Sequence, residues 1–96
     1  MSEAIFEWDD GKNLENIRKH GVSFSQAQYA YFGKNRIVAE DLGNSQYENR
    51  YYCFGLNKEA SGILTARSTY RSGCIRIIGA GYWRKGKKIY EQTNSI

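Results

Sequence analysis

Tyr47-Glu48-Asn49-Arg50-Tyr51-Tyr52-Cys53-Phe54-Gly55-Leu56 is the stretch on which the fold turns. It is rich in aromatic side chains that pack well on a pleated surface. At a period of two, Tyr47, Asn49, Tyr51 and Cys53 take one side, and Glu48, Arg50, Tyr52 and Phe54 take the other. Residues 57–62 then read as a turn, residues 63–70 pair back, residues 71–73 turn again, and residues 74–80 form a last strand. Consecutive strands joined by short polar connections make an antiparallel meander.

Working outward, residues 36–40 give one more strand ahead of the polar loop 41–45. Upstream of that, the period changes from two to helical. Ile5-Phe6-Glu7-Trp8 is a short alternating strand, and Asp9 or Asp10 supplies an N-cap for a helix that ends on Gly21 in a left-handed cap. Leu14 and Ile17 are expected to share that helix's inner face. Ser23 or Ser25 caps a second helix carrying Ala27, Ala30 and Tyr31 before Gly33. From Trp83 onward a basic helix is expected despite Gly86, which costs about 1 kcal/mol relative to Ala, and residues 94–96 read as a frayed tail. The order β-α-α-β-β-β-β-α is that of an α+β domain with helices packed on one face of an antiparallel sheet. At 96 residues, one domain spanning 1–96 is expected.

The net charge of +4 is unevenly spread. From Arg67 to the end, seven positive residues face one acid, Glu91, giving +6; the preceding residues hold seven positives and nine acids, giving −2. Phosphate groups are the natural counter-ions of such a basic end. Two cysteines without CxxC spacing disfavour structural zinc, and a single His excludes metal chemistry built on imidazole pairs within one chain. No apolar run approaches the roughly 18 residues of a membrane span. With no leader pattern at its N-terminus, the chain reads as cytoplasmic.

Arginine inside strands is the oddity that points to chemistry. Arg67 lies among Ile63, Thr65 and Thr69, and Arg76 lies between Ile75 and Ile77. If Arg50, Arg67, Arg71 and Arg76 converge on one open sheet face, they form a cleft for a phosphodiester, because guanidinium groups grip phosphate oxygens in bidentate fashion. The nearby acids look too few to pair all four. Lys19-His20, ending the first helix, offers a proton acceptor beside a cation. Tyr70 and Tyr90 lie beside basic residues and are candidates for base stacking or proton transfer, and Arg84, Lys85, Lys87 and Lys88 for the nucleic-acid backbone. No P-loop, dinucleotide turn or nucleophile elbow is present.

Taken together, Phe6-Glu7-Trp8-Asp9, Lys12, Asn16 and Lys19-His20-Gly21-Val22-Ser23-Phe24 with Ala27 resemble the opening signature of the BrnT toxin family. Glu48-Asn49-Arg50-Tyr51, Gly55, Arg71, Ile75-Arg76-Ile77-Ile78, Ala80 and Tyr90-Glu91 resemble its later blocks in order and spacing. The resemblance implies a type II toxin with a RelE-like ribonuclease fold that cleaves RNA without metal and inhibits translation, causing growth arrest. On that reading Lys19 or His20 is expected as base or electrostatic aid, with Arg50, Arg71 and Arg76 on the phosphate and Tyr70 or a Lys near the leaving oxygen; Arg67, Arg84, Lys85, Lys87, Lys88 and Tyr90 would bind RNA. A nuclease whose RNA supplies its own nucleophile would need no cofactor. The resemblance further implies neutralisation by a BrnA-like ribbon-helix-helix antitoxin in a 2:2 complex, through which alone the toxin meets operator DNA. The chain departs from the family at Gly79-Ala80-Gly81, where a Ser-Ala-Arg run is common, and near Gly86, where a Glu is common. Those departures set a second expectation beside the first: a weak or inactive toxin-like module that chiefly binds its antitoxin as corepressor.

Overall fold

The computed structural model describes residues 5–96. β1 (Phe6–Glu7) leads into α1 (Asp10–His20), α2 (Phe24–Ala27) and a 3-10 turn (Gln28–Tyr31). β2 (Ile37–Glu40), a second 3-10 turn (Leu42–Asn44), β3 (Arg50–Leu56), β4 (Ile63–Arg71), β5 (Cys74–Gly81) and α3 (Arg84–Thr93) follow. The fold is α+β, and the sheet runs β1-β5-β4-β3-β2. β2 to β5 form the antiparallel meander, and β1 joins β5 in parallel, which makes the sheet mixed.

Local chemistry explains the helix ends. Asp9 accepts from the Lys12 amide at 2.8 Å, and Gly21 takes φ 69°, a left-handed conformation that favours glycine. Ser23 and Gln26 form a reciprocal capping box that starts α2. The inner face of α1 is not the expected one. Leu14 is 67% exposed and Ile17 40%, whereas Asn16 is buried. Asn16 Nδ2 donates to the carbonyls of Val22 (2.8 Å) and Ala80 (2.9 Å), and the Ala80 amide donates back to Asn16 Oδ1 at 3.2 Å. A polar residue thus bolts α1 to β5 where periodicity places an apolar seam.

The core lies between the sheet and α1, α2 and the 3-10 turn, and comprises Val22, Phe24, Ala27, Ala30, Cys53, Leu64, Ala66, Ile77 and Ala80. Burial pushes the Cys53 thiol up to about 12, so it is a packing group. A Cβ on Gly55 would overlap the carbonyl of Ala30, so glycine there lets the 3-10 turn touch the sheet.

The third helix corrects the one-face arrangement. Gly86 of α3 rests on Phe54 and Thr65, which alternate with the inward Cys53, Gly55, Leu64 and Ala66 and so point to the opposite face. Any side chain at Gly86 would overlap Thr65 Oγ1, which explains a glycine inside a helix. The tail is tied down rather than frayed: Asn94 Nδ2 donates to the carbonyls of Asn35 and Tyr90. The strand expected from residue 47 begins at Arg50, with Tyr47 at 98% exposure outside it.

Candidate nucleic-acid interface

Strand register brings the four arginines to one face. Arg50 pairs with Thr69, which pairs with Arg76; Arg67 lies two residues back along β4, opposite Tyr52 and Gly79; Arg71 lies opposite Cys74. An irregularity between Arg67 and Ser68 inserts Ile78 as an extra residue on β5, since Arg67 pairs with Gly79 and Ser68 with Ile77.

Among the described residues, acids meet three of the four and leave Arg50 over, so they are indeed too few to pair all four, though they pair more of them than the sequence neighbours suggest. Arg71 grips Glu48 with two hydrogen bonds of 3.1 Å, Arg76 reaches Glu7 at 3.1 Å, and Arg67 lies 3.7 Å from the buried carboxylate of Asp41. The Arg71 hydrogen bonds hold the Glu48 carboxyl below its ordinary range. Arg50 is the member of the four without a carboxylate within 4.0 Å among the described residues. Glu7 was missed because it comes from β1, and Asp41 because it lies in a loop; neither is a sequence neighbour of its arginine.

Two concavities meet at Arg67 and Trp83. The first, a recess of about 280 Å³ beside β5, gathers Lys12, Lys19 and His20 of α1 with Arg67, Gly79 and Trp83. Lys19 stands 3.3 Å from Glu15, and the His20 ring meets the Trp83 ring edge-on at 5.1 Å. Lys12, Asn16 and Lys19 follow helical spacing, so Lys12 was findable from the face it shares with Lys19. The second concavity is a mostly apolar groove of about 740 Å³. Phe54, Thr65 and Gly86 line it below, Tyr52 and Ala39 on the strand side, and Lys85 and Ile89 on α3. Thr65 Oγ1 and the Nε atoms of Arg50 and Arg67 are buried without a hydrogen-bond partner among the described residues.

Other expected site residues fall elsewhere. Tyr70 points to the opposite face from Arg71, its ring 5.4 Å from that of Tyr51. Tyr90 is 3% exposed and packs inward, so its ring is not offered to a base. Arg84, Lys85, Lys87 and Lys88 are all exposed on α3. The space beside Gly81, where the resemblance leads to an expectation of Arg, is filled by Trp83: a Cβ there would meet the indole at 2.7 Å. Among the described residues no group of three His, Cys, Asp or Glu side chains could hold a metal ion. No helix of the described residues is long and apolar enough to cross a membrane.

A five-stranded mixed sheet with two helices behind it, a third across its front and a cationic recess at the junction defines a small α+β domain compatible with the RelE-like toxins. Residues 8–86 match the family model described as the ribonuclease toxin, BrnT, of type II toxin-antitoxin systems, and the chain belongs to that family. A search of curated proteins finds no match to it.

Proposed function

We propose that this toxin is a metal-independent endoribonuclease whose working centre is the recess that joins His20, Lys19, Lys12 and Arg67. That convergence is the observation that carries the reading: it sets a proton acceptor beside three cations at the edge of the sheet. The ribose 2′-hydroxyl attacks the adjacent phosphorus, so the O2′–P bond forms, the P–O5′ bond breaks, and a 2′,3′-cyclic phosphate and a 5′-hydroxyl result. His20 takes the hydroxyl proton, since Lys19 is engaged by Glu15 as a cation. Lys12 or Lys19 supplies the proton to the leaving oxygen, and Arg67 steadies the charge on the phosphate. Arg50, Arg71 and Arg76 extend the positive row along the sheet, where neighbouring phosphates of the strand lie.

Purified protein should cut RNA in the presence of a chelator. His20→Ala should lower the rate about 10²- to 10⁴-fold, and Arg67→Ala about 10- to 100-fold, as for a lost charge-assisted contact. Arg71→Ala and Arg76→Ala should cost less, because neither lines the recess and each is hydrogen-bonded to a carboxylate at 3.1 Å, closer than Arg67 lies to Asp41. Intact RNA with the unaltered protein would sink the reading, and a larger loss from Arg71→Ala than from Arg67→Ala would move the centre to the far end of the sheet. In the cell, the free toxin inhibits translation and arrests growth; a BrnA-like antitoxin neutralises it in a 2:2 complex, and the pair represses its own operator. Gly81, with its space filled by Trp83, supports the second reading, a module that mainly binds antitoxin. A growth assay without antitoxin separates the two, since the second reading requires growth to continue.

A further inference from the structure

The apolar groove beside the recess has no role in the proton transfers above, yet it opens onto the recess at Arg67 and Trp83. We infer that it is a base-holding subsite: it takes the nucleobase on one side of the scissile phosphate, with Tyr52 and Trp83 as its aromatic contacts. The inference rests on the ribonuclease reading and adds the residues that position the substrate.

Three features favour a nucleotide as occupant. At about 740 Å³ the groove is within the range of small-molecule sites and admits a base with its sugar. Its aromatic walls are matched to a flat π-surface, with Tyr52 and Phe54 stacked at 5.8 Å and 11°. Its charge is complementary, because Lys85 stands at one rim and Arg67, 6.0 Å over the Tyr52 ring, stands where groove and recess meet. A base seated against Tyr52 places its phosphate at Arg67, facing Lys19 and His20. A purely apolar peptide side chain would leave Lys85 unanswered, since among the described residues only Arg67 of the two cations has a carboxylate, Asp41, beside it.

Binding and cutting are measured separately on the full chain. A 2′-O-methyl RNA oligomer, which lacks the nucleophile, is titrated by fluorescence anisotropy, both intact and with an abasic residue at each position in turn. The expected result is a 10- to 100-fold loss of affinity for an abasic residue at one position, the range of base–aromatic stacking. Tyr52→Leu should show the same loss with intact RNA and no further loss with the abasic strand. Ala39→Trp, at an exposed position on the rim, should fill the groove and reproduce that pattern should Tyr52→Leu fold poorly. Equal affinity for intact and abasic strands, or unchanged sensitivity in Ala39→Trp, overturns the inference. Failure of unmodified RNA to be cut overturns instead the ribonuclease reading, which the binding series does not test.

Discussion

Replacing Asn16 by Ala probes how the recess is held together. The substitution removes the amide that accepts from the Ala80 N–H and donates to the carbonyls of Val22 and Ala80. All three contacts are buried, so the freed groups have no ready water. An orphaned buried donor or acceptor costs about 1–3 kcal/mol. Local relaxation around the Ala80 amide and the carbonyls of Ala80 and Val22 keeps the cost below the sum of three full penalties, so about 3 kcal/mol in all is expected. For a domain of this size about 1 kcal/mol shifts the melting temperature by roughly 4–8 °C, which puts the Asn16→Ala melt roughly 12–24 °C below the unaltered protein. Leu14→Ser is the control: at 67% exposure its effect should stay within about 0.5 kcal/mol. Thermal unfolding followed by far-UV circular dichroism reads both. If Leu14→Ser proves the more damaging, the apolar seam expected from periodicity is real and the bolt is not. RNA cutting should fall with Asn16→Ala even well below its melt, since α1 then no longer holds Lys19 and His20 in register with Arg67.

Gly86→Ala should destabilise by about 1–2 kcal/mol, because overlap with Thr65 Oγ1 and with Phe54 at 2.9 Å outweighs the gain of about 1 kcal/mol in helix propensity; a higher denaturation midpoint would contradict that geometry. Hydrogen bonds from Arg18 first and Lys19 second hold the Glu15 carboxyl at about 2. Its contribution to stability is therefore complete above the ordinary carboxyl value and is lost as pH falls toward 2, so a carbon-13 titration should find Glu15 near 2 and shifted upward in Arg18→Ala, and a wild-type midpoint in the ordinary range would refute it. Arg84→Glu with Lys85→Glu should raise thermal stability while weakening RNA binding and flattening its salt dependence; a fall in stability, or unchanged RNA affinity, would count against the charge reading of α3.

Much of this architecture could be read from local signals. Asp9, Gly21 and the Ser23–Gln26 box mark the helix ends through chemistry confined to a few residues. Alternation along Arg50–Leu56 and Ile63–Arg71 puts Arg50 and Arg67 on one face, as expected. What stayed hidden depends on distant partners. Asn16 looks like an ordinary polar residue until Ala80, 64 positions away, offers both a carbonyl and an amide. Glu7 is invisible as a partner for Arg76 until β1 pairs beside β5. The face chosen by α3 follows from Gly86 meeting Phe54 and Thr65, a steric fit that no periodicity encodes. Tyr70 and Tyr90 have basic neighbours in sequence, yet strand alternation turns one away from the arginines and helix packing buries the other.

The split of charge along the chain has a different meaning once these pairs are drawn. The basic end does not project its whole excess: Arg67, Arg71 and Arg76 are met by Asp41, Glu48 and Glu7 from the acidic front. The cations left without a carboxylate partner there, among the described residues, are Arg84, Lys85, Lys87 and Lys88, all in the first half of α3. That placement opposes the fold's own electrostatics, because a helix begins at the positive end of its dipole and each cation in the first turn costs typically 0.3–1 kcal/mol. No acid occupies that turn, and Trp83 at the cap position contributes no side-chain hydrogen bond. A local arrangement that weakens the fold without an internal compensation is expected where a ligand supplies the missing charge. A polyanion along α3 would do so, and it would reach the recess through the groove that Lys85 borders. On the proposed reading, the same positive segment that makes α3 a poor helix by local rules would guide the strand toward Arg67 and His20.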